Sequence, residues 1–297
     1  MRLALLACFA GSWKRAGIRC SSPPLPESAV FTVECRMTEI VRDFYDDLAG
    51  HYHLMFEDWN ASGARQADVL GAILERECGP AESLRILDCA CGIGTQAIGL
   101  AKLGFRVTGT DISPRAVERA RLEAGERGLD LPVYVADMLR LSNVPEASFD
   151  AVLCMDNALP HLLSSQDLAT AAAQIRAKLR DRGVFMASIR DYDRLIEERP
   201  LVQGPSFFSD AARRRIVFQL WDWSDERRYS FHLYITRDTP AGWQTHHGVC
   251  EYRAVLRDEL TKILERAGFV RVRWLLPHET DFYQPIVLAT AGRDDAR

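Results

Sequence analysis

Between residues 83 and 190 the chain alternates short apolar runs with amphipathic stretches, and from 214 onward the rhythm changes. The runs "LRILDCA" (84–90), "FRVTGTDI" (105–112), "PVYVADM" (132–138), "FDAVLCMDN" (149–157) and "GVFMASIR" (183–190) predict five strands. Between them the spacing predicts helices over 95–103, from Pro114 to Arg127, and over 166–180; a proline suits the first turn of the second. Apolar strands alternating with helices predict a parallel sheet covered on both faces. Farther on, "RRIVFQLWDWS" (214–224), "RRYSFHLYITRD" (227–238) and "WQTHHGVCEYRAV" (243–255) alternate aromatic with polar residues between Ser-Asp-Glu and Pro-Ala-Gly breaks. That pattern predicts antiparallel strands with one dry face. A helix over 257–268, stopped by Gly268, and the runs "FVRVRWLLP" and "QPIVLATA" close the chain, while 39–76 predicts two helices joined by an aromatic stretch.

The chemistry-bearing residues fall where predicted strands end. Gly92 and Gly94 follow the first strand and open a helix, a turn that lets backbone N–H groups approach a ligand. Taken alone, Gly92-x-Gly94-x-x-Ala97 is a weak dinucleotide fingerprint. Asp88, Asp111, Asp137 and the pair Asp156–Asn157 close four successive strands, and open α/β sheets bind ligands along that edge. A pyrophosphate is a poor guest among so many acids, whereas a sulfonium cation bearing adenosine and an amino-acid tail is a good one. In that reading Asp88 faces the ammonium, Asp111 the ribose and Asp137 the adenine amino group, with Ile112 and Met138 flanking the base. Any one aspartate also fits a helix cap or loop residue; four in register fit a shared crevice better.

The stretches "LDCACGIGT", "GTDIS", "VADM" and "FDAVLCMDN" resemble the successive motifs of the Rossmann-like (class I) S-adenosylmethionine-dependent methyltransferases. The resemblance implies a seven-stranded, mostly parallel α/β sheet with helices on both faces and an antiparallel lid insertion after strand five. It also implies S-adenosylmethionine as methyl donor, S-adenosylhomocysteine as product and no metal. Ala90 departs from the family, which often has a further glycine there; being small, it is expected to do little harm. More narrowly, "NVPEASFDAVLCMDNALPHL" (143–162) and "IRDYDRLI" (189–196) are similar to glycine and sarcosine N-methyltransferases. That similarity implies that Arg190 grips a substrate carboxylate and that Asn157 lies between donor and acceptor. It adds Tyr45, Ala90 and Met155 to the donor site and Tyr252 and Tyr283 to the acceptor site. His161 joins the catalytic candidates in a binding or hydrogen-bonding role. Methyl transfer to an amine runs in line from sulfur, so the protein's task is alignment.

Plainer readings stand beside these. Arg190 also fits an ion pair with Asp191 or Asp193. The aromatic insertion with Trp221, Trp223, Tyr229, Tyr234, Trp243 and Tyr252 fits sheet packing as well as a lid whose rings face a methylated ammonium. A hydroxyl or amine of a secondary metabolite is an alternative acceptor, and an NAD-dependent oxidoreductase is an alternative of another class.

Composition narrows the field further. With 37 basic and 41 acidic residues in 297, a net charge of −4 and no basic block, nucleic acid is not an implied partner. The eight cysteines lack C-x-x-C spacing and read as reduced, which with the lack of a long apolar run points to a cytoplasmic protein with a small-molecule substrate and no membrane partner. Residues 1–36 read as a leader outside the fold, and 37–297 as one methyltransferase domain. Within it lie a helical cover (39–80), the donor-binding core (83–190), the lid (191–255) and a closing helix and strands (256–292).

Overall fold

Alternate residues of the central strands feed two separate cores. The computed structural model describes residues 27–145, 148–209 and 213–292, with side chains from Thr38 onward. In β1 (Arg85–Cys89), β4 (Phe149–Cys154) and β5 (Leu179–Ser188), one set of side chains comprises Leu87, Cys89, Val152, Cys154, Phe185 and Ala187. These pack with Leu168 and Ile175 of α5 (Ser165–Lys178) and with Leu260 and Leu264 of α7 (Arg257–Arg266). The intervening residues Ile86, Ala151, Leu153, Val184 and Met186 pack on the opposite face. Their partners there are Leu70 and Leu74 of α2 (Trp59–Cys78), Ala97 of α3 (Thr95–Lys102) and Val117 of α4 (Pro114–Glu126). Side chains on a strand alternate between faces, so an apolar run covered on both sides must split this way. Each fully buried Leu or Ile contributes about 1.5–3 kcal/mol.

The sheet is seven-stranded, in the order β10-β11-β5-β4-β1-β2-β3, and adds β2 (Arg106–Asp111), β3 (Val133–Val135), β10 (Phe269–Leu275) and β11 (Ile286–Ala291). Only β11 runs against its neighbours, as the expected mostly parallel topology requires. Strand order reverses between β1 and β4, which opens a crevice at their carboxyl ends. α4 starts where predicted, with Pro114 in its first turn and the Ser113 hydroxyl accepting from the Ala116 N–H at 3.0 Å. Two boundaries moved: β3 is shorter than expected, and α5 passes straight into β5 at Leu179, before Gly183.

After β5 come a short helix, α6 (Tyr192–Glu198), and a four-stranded antiparallel sheet of β6 (Val202–Ser209), β7 (Arg214–Trp223), β8 (Arg228–Thr239) and β9 (Gly242–Arg253). In β8, Tyr229, Phe231, Leu233 and Ile235 are buried, while the residues between them face outward. The pattern of 214–255 foretold three of these strands. β6 escaped because Gly204-Pro205 reads as a turn, and pairing with β7 does shift register between Gln203 and Ser206.

The chain divides after Met37 into two units, the second of which carries the sheet. Helix α1 (Glu27–Leu48) begins within the expected leader, whose residues 1–26 lie outside those described. Among the described residues no helix is long and apolar enough to cross a membrane.

Candidate active site

The turn after β1 leaves the strand through three left-handed residues: Ala90 (φ 69°), Gly92 (φ 56°) and Gly94 (φ 92°). A Cβ on Gly92 would meet nothing within 4 Å, so the turn presents bare backbone to open space, whereas one on Gly94 would strike Ile98 at 2.8 Å. Ala90 is therefore not harmless as expected: a side chain in this region costs about 1–2 kcal/mol.

Around this turn Asp88, Asp111 and Asp156 lie close enough to act on one another, while Asp137 lies past the end of β3. Asp111 is buried, its two oxygens accepting from the Gly92 N–H at 2.8 Å and the Ser113 N–H at 2.9 Å. Burial pushes its pKa up to about 6 even though those amides pull it down. Asp88 is 1% exposed, and neither of its oxygens has a hydrogen-bond partner. Burial, then the nearby Asp111 and Asp156, push it up to about 7, with the Ala97 amide only partly offsetting them. Asp137 is half-buried, accepts from the Leu139 N–H at 2.8 Å and is also raised by burial. Ile112 and Met138 lie half-buried beside these acids in the chain. A buried carboxylate without a donor is costly, and a cationic ligand at Asp88 would remove that cost. Bare backbone beside orphaned acceptors fits a cationic nucleoside better than a pyrophosphate.

The opposite wall carries the reverse charge. Arg190 follows β5, and its backbone N–H donates to Asn157 Oδ1 at 3.1 Å. Its guanidinium donates to the Tyr229 hydroxyl at 2.8 Å and lies over the rings of Trp221, Phe231 and Tyr252, at 4.6, 5.1 and 5.4 Å. Tyr192 and Tyr229 meet hydroxyl to hydroxyl at 2.8 Å behind it. The ion pair considered for Arg190 does not form: Asp191 and Asp193 both pair with Arg257, each at 3.2 Å. Asn157 is 2% exposed, left-handed (φ 66°), and its amide nitrogen lacks a partner. Arg190 and Asn157 thus form a corner of hydrogen-bond donors with no carboxylate in ion-pair contact, Asp156 being the acid on which Arg190 acts.

His161 stands between the walls. The Tyr45 hydroxyl lies 2.7 Å from its Nε2, Cys250 Sγ lies 3.5 Å from its Nδ1, and its ring packs on Tyr252 with centroids 4.1 Å apart. Burial, then Arg190, lowers its pKa to about 3, so it is neutral at physiological pH and serves in hydrogen bonding.

One site expectation falls elsewhere. Met155, expected at the donor, is buried in the second core with Leu153 and Met186, because it keeps the facing of Ala151 and Leu153. Tyr283, expected at the acceptor, is 55% exposed and packs on Phe282; the next residue, Gln284, accepts from the Ser188 hydroxyl. The alternation of β7 and β8 placed Trp221, Tyr229 and Phe231 on a buried face without showing that the face holds an arginine, and nothing in the sequence singled out Tyr192. Among the described residues no His, Cys, Asp and Glu cluster could hold a metal ion.

Residues 86–183 match the family described as a methyltransferase domain. A glycine/sarcosine N-methyltransferase of Parasynechococcus marenigrum is 32% identical over 156 residues, 52% of this chain and 54% of that protein. A ubiquinone biosynthesis O-methyltransferase of Methylocella silvestris is 41% identical over 109 residues, 37% of this chain and 41% of that one. The chain thus spans about half the length of the curated relatives it matches. Among solved structures, CalS10, an amino pentose methyltransferase from Micromonospora echinaspora, superposes with a TM-score of 0.63 at 20% identity, over 82% of this chain and 95% of that one. Likeness at that identity establishes the shared fold.

Proposed function

We propose that this chain, which carries a methyltransferase domain on the class I S-adenosylmethionine-dependent fold, methylates the amine of a small carboxylate-bearing acceptor such as glycine or sarcosine. S-adenosylmethionine supplies the methyl group on a cationic sulfur. The turn at Gly92 and Gly94, with Asp88, Asp111, Asp137, Ile112 and Met138, would hold it, the orphaned Asp88 supplying the missing counter-charge. The observation that carries the acceptor class is Arg190, a guanidinium walled by aromatic rings, beside the unpartnered Asn157 amide and with no carboxylate in ion-pair contact. A planar fork of N–H donors matches a carboxylate. Asn157 fixes the Arg190 backbone, and Tyr45, His161 and Tyr252 close the space beside them. Their work is to align the amine and exclude water, which is worth up to ~7–11 kcal/mol.

Methyl transfer to a panel of amino acids, with Arg190→Ala alongside, tests this. The expected loss in kcat/KM on a carboxylated amine is about 10²–10³-fold, since truncating a buried, hydrogen-bonded charge partner costs about 2–5 kcal/mol. S-adenosylmethionine affinity, read by calorimetry, is expected to change little. Equal turnover by Arg190→Ala overturns the acceptor class and favours a hydroxyl or amine of another metabolite. Tight NAD binding without S-adenosylmethionine binding points instead to an oxidoreductase.

A further inference from the structure

We infer that Asp156, just past β4, takes the proton from the acceptor's ammonium before methylation, an inference that rests on the amine-methylating reading above. An aliphatic amine enters as ammonium at neutral pH and has no lone pair to offer until it loses a proton. In that step an N–H bond breaks, its electron pair stays on nitrogen, and the proton forms an O–H bond on the carboxylate. The neutral amine and the neutral carboxylic acid that result conserve charge.

The other groups in the crevice are poorly suited to the task. His161 has both ring nitrogens engaged, by Tyr45 and Cys250, and burial beside Arg190 opposes its protonation. Asp111 has a backbone N–H on each oxygen. Asp88 belongs to β1, under the glycine turn. Asp156 immediately precedes Asn157, whose side chain holds the Arg190 backbone. An amino-acid nitrogen sits two bonds from its carboxyl carbon, so a carboxylate gripped at Arg190 leaves the amine close to Asp156.

The carboxylate is held for use. Its Oδ2 accepts from Gln96 Nε2 at 3.0 Å, and Gln96 in turn donates to Gln66 Oε1 at 2.8 Å. Its Oδ1 is buried with no hydrogen bond of ordinary geometry, and the Tyr52 hydroxyl is close enough to act on the carboxylate. The backbone is fixed in the left-handed region (φ 58°), with the Asp156 N–H donating to the Ser188 hydroxyl at 2.9 Å and that hydroxyl donating to Gln284 at 2.8 Å. Few non-glycine residues adopt that conformation, and holding one there aims its side chain. The groups facing it are Tyr52 from the 3-10 turn over Tyr52–Met55, Gln96 from α3, Arg190 after β5 and Asp88 from β1. Burial pushes the carboxylate up to about 6, with Gln96, Tyr52 and Arg190 pulling it back. A group that titrates there is ionised at neutral pH and still basic enough to hold a proton in a dry site.

The test is the pH dependence of kcat/KM on glycine for the full chain and Asp156→Asn. Expected are a wild-type acid limb near pH 6, a loss of about 10²-fold or more in the variant with that limb gone, and S-adenosylmethionine affinity kept within about threefold. Gln96→Met removes the N–H that favours the ionised form, so the limb should move to higher pH, a shift that a purely structural role would not produce. In calorimetry with S-adenosylhomocysteine bound, glycine should bind more weakly as pH falls through 6 in the wild type and evenly in Asp156→Asn. A variant profile superimposed on the wild type's overturns the inference. So does a tenfold loss of S-adenosylmethionine affinity with kcat at saturation unchanged, which would make Asp156 a donor-positioning residue. If only amines lacking a carboxylate turn over, the Arg190 reading falls and the limb is scored on those amines. Turnover of hydroxyls alone ends both.

Discussion

The acid-lined wall and the aromatic wall meet one problem, a buried charge without an ion-pair partner, in different ways. Asp88 has only the Ala97 amide nearby, with no hydrogen bond of ordinary geometry, and answers by becoming harder to ionise, its pKa raised to about 7. Arg190 has no such exit, because a guanidinium does not lose its proton in a protein. The fold therefore supplies it with the faces of Trp221, Phe231 and Tyr252 and the Tyr229 hydroxyl, each ring face worth about 0.5–2 kcal/mol. One wall is tuned by pH, and the other is fixed by packing.

The contrast can be broken at either wall. The largest effect in prospect here is at Asp88. Asp88→Asn should weaken S-adenosylmethionine binding by about 10–100-fold, the worth of one charge-assisted hydrogen bond. Wild-type affinity should fall as pH drops below about 7, where Asp88 takes up a proton, and the variant should lose most of this slope; calorimetry between pH 5.5 and 8 reads both. Stability runs the other way. Asp88 is harder to ionise folded than unfolded, so its contribution is complete at low pH and is lost as pH rises through about 7. Ligand-free Asp88→Asn should thus be more stable than the wild type at pH 8, by on the order of a few kcal/mol in urea titrations. Smaller is Ala90→Gly, which relieves the left-handed alanine and should stabilise the protein by about 1 kcal/mol in the same titrations, with kcat little changed. Least is Tyr283→Ala: a ring exposed by more than half should leave kcat/KM within about twofold and stability within about 0.5 kcal/mol.

The walls also differ in how far the sequence revealed them. The acid wall is assembled from strand ends, each beside its own strand and turn, so a local reading placed Asp88, Asp111 and Asp137. The same period-two reading, carried past Leu153, would have turned Met155 into the core; Asp156, past the strand end and left-handed, lies beyond its reach. The aromatic wall joins Arg190 to β7, β8 and β9 through antiparallel pairing whose register depends on tertiary contacts. Alternation showed that Tyr229 and Phe231 share a face; only the folded chain brings that face to an arginine.

Arg257, on a helix of the closing segment, engages both acids that follow Arg190 in the chain. Its removal would free two tethered anions beside the proposed acceptor anchor, at a local concentration that no dissolved carboxylate reaches. The protein would then carry its own competitive inhibitor, and a substitution on a helix with no part in the chemistry would register as a rise in KM.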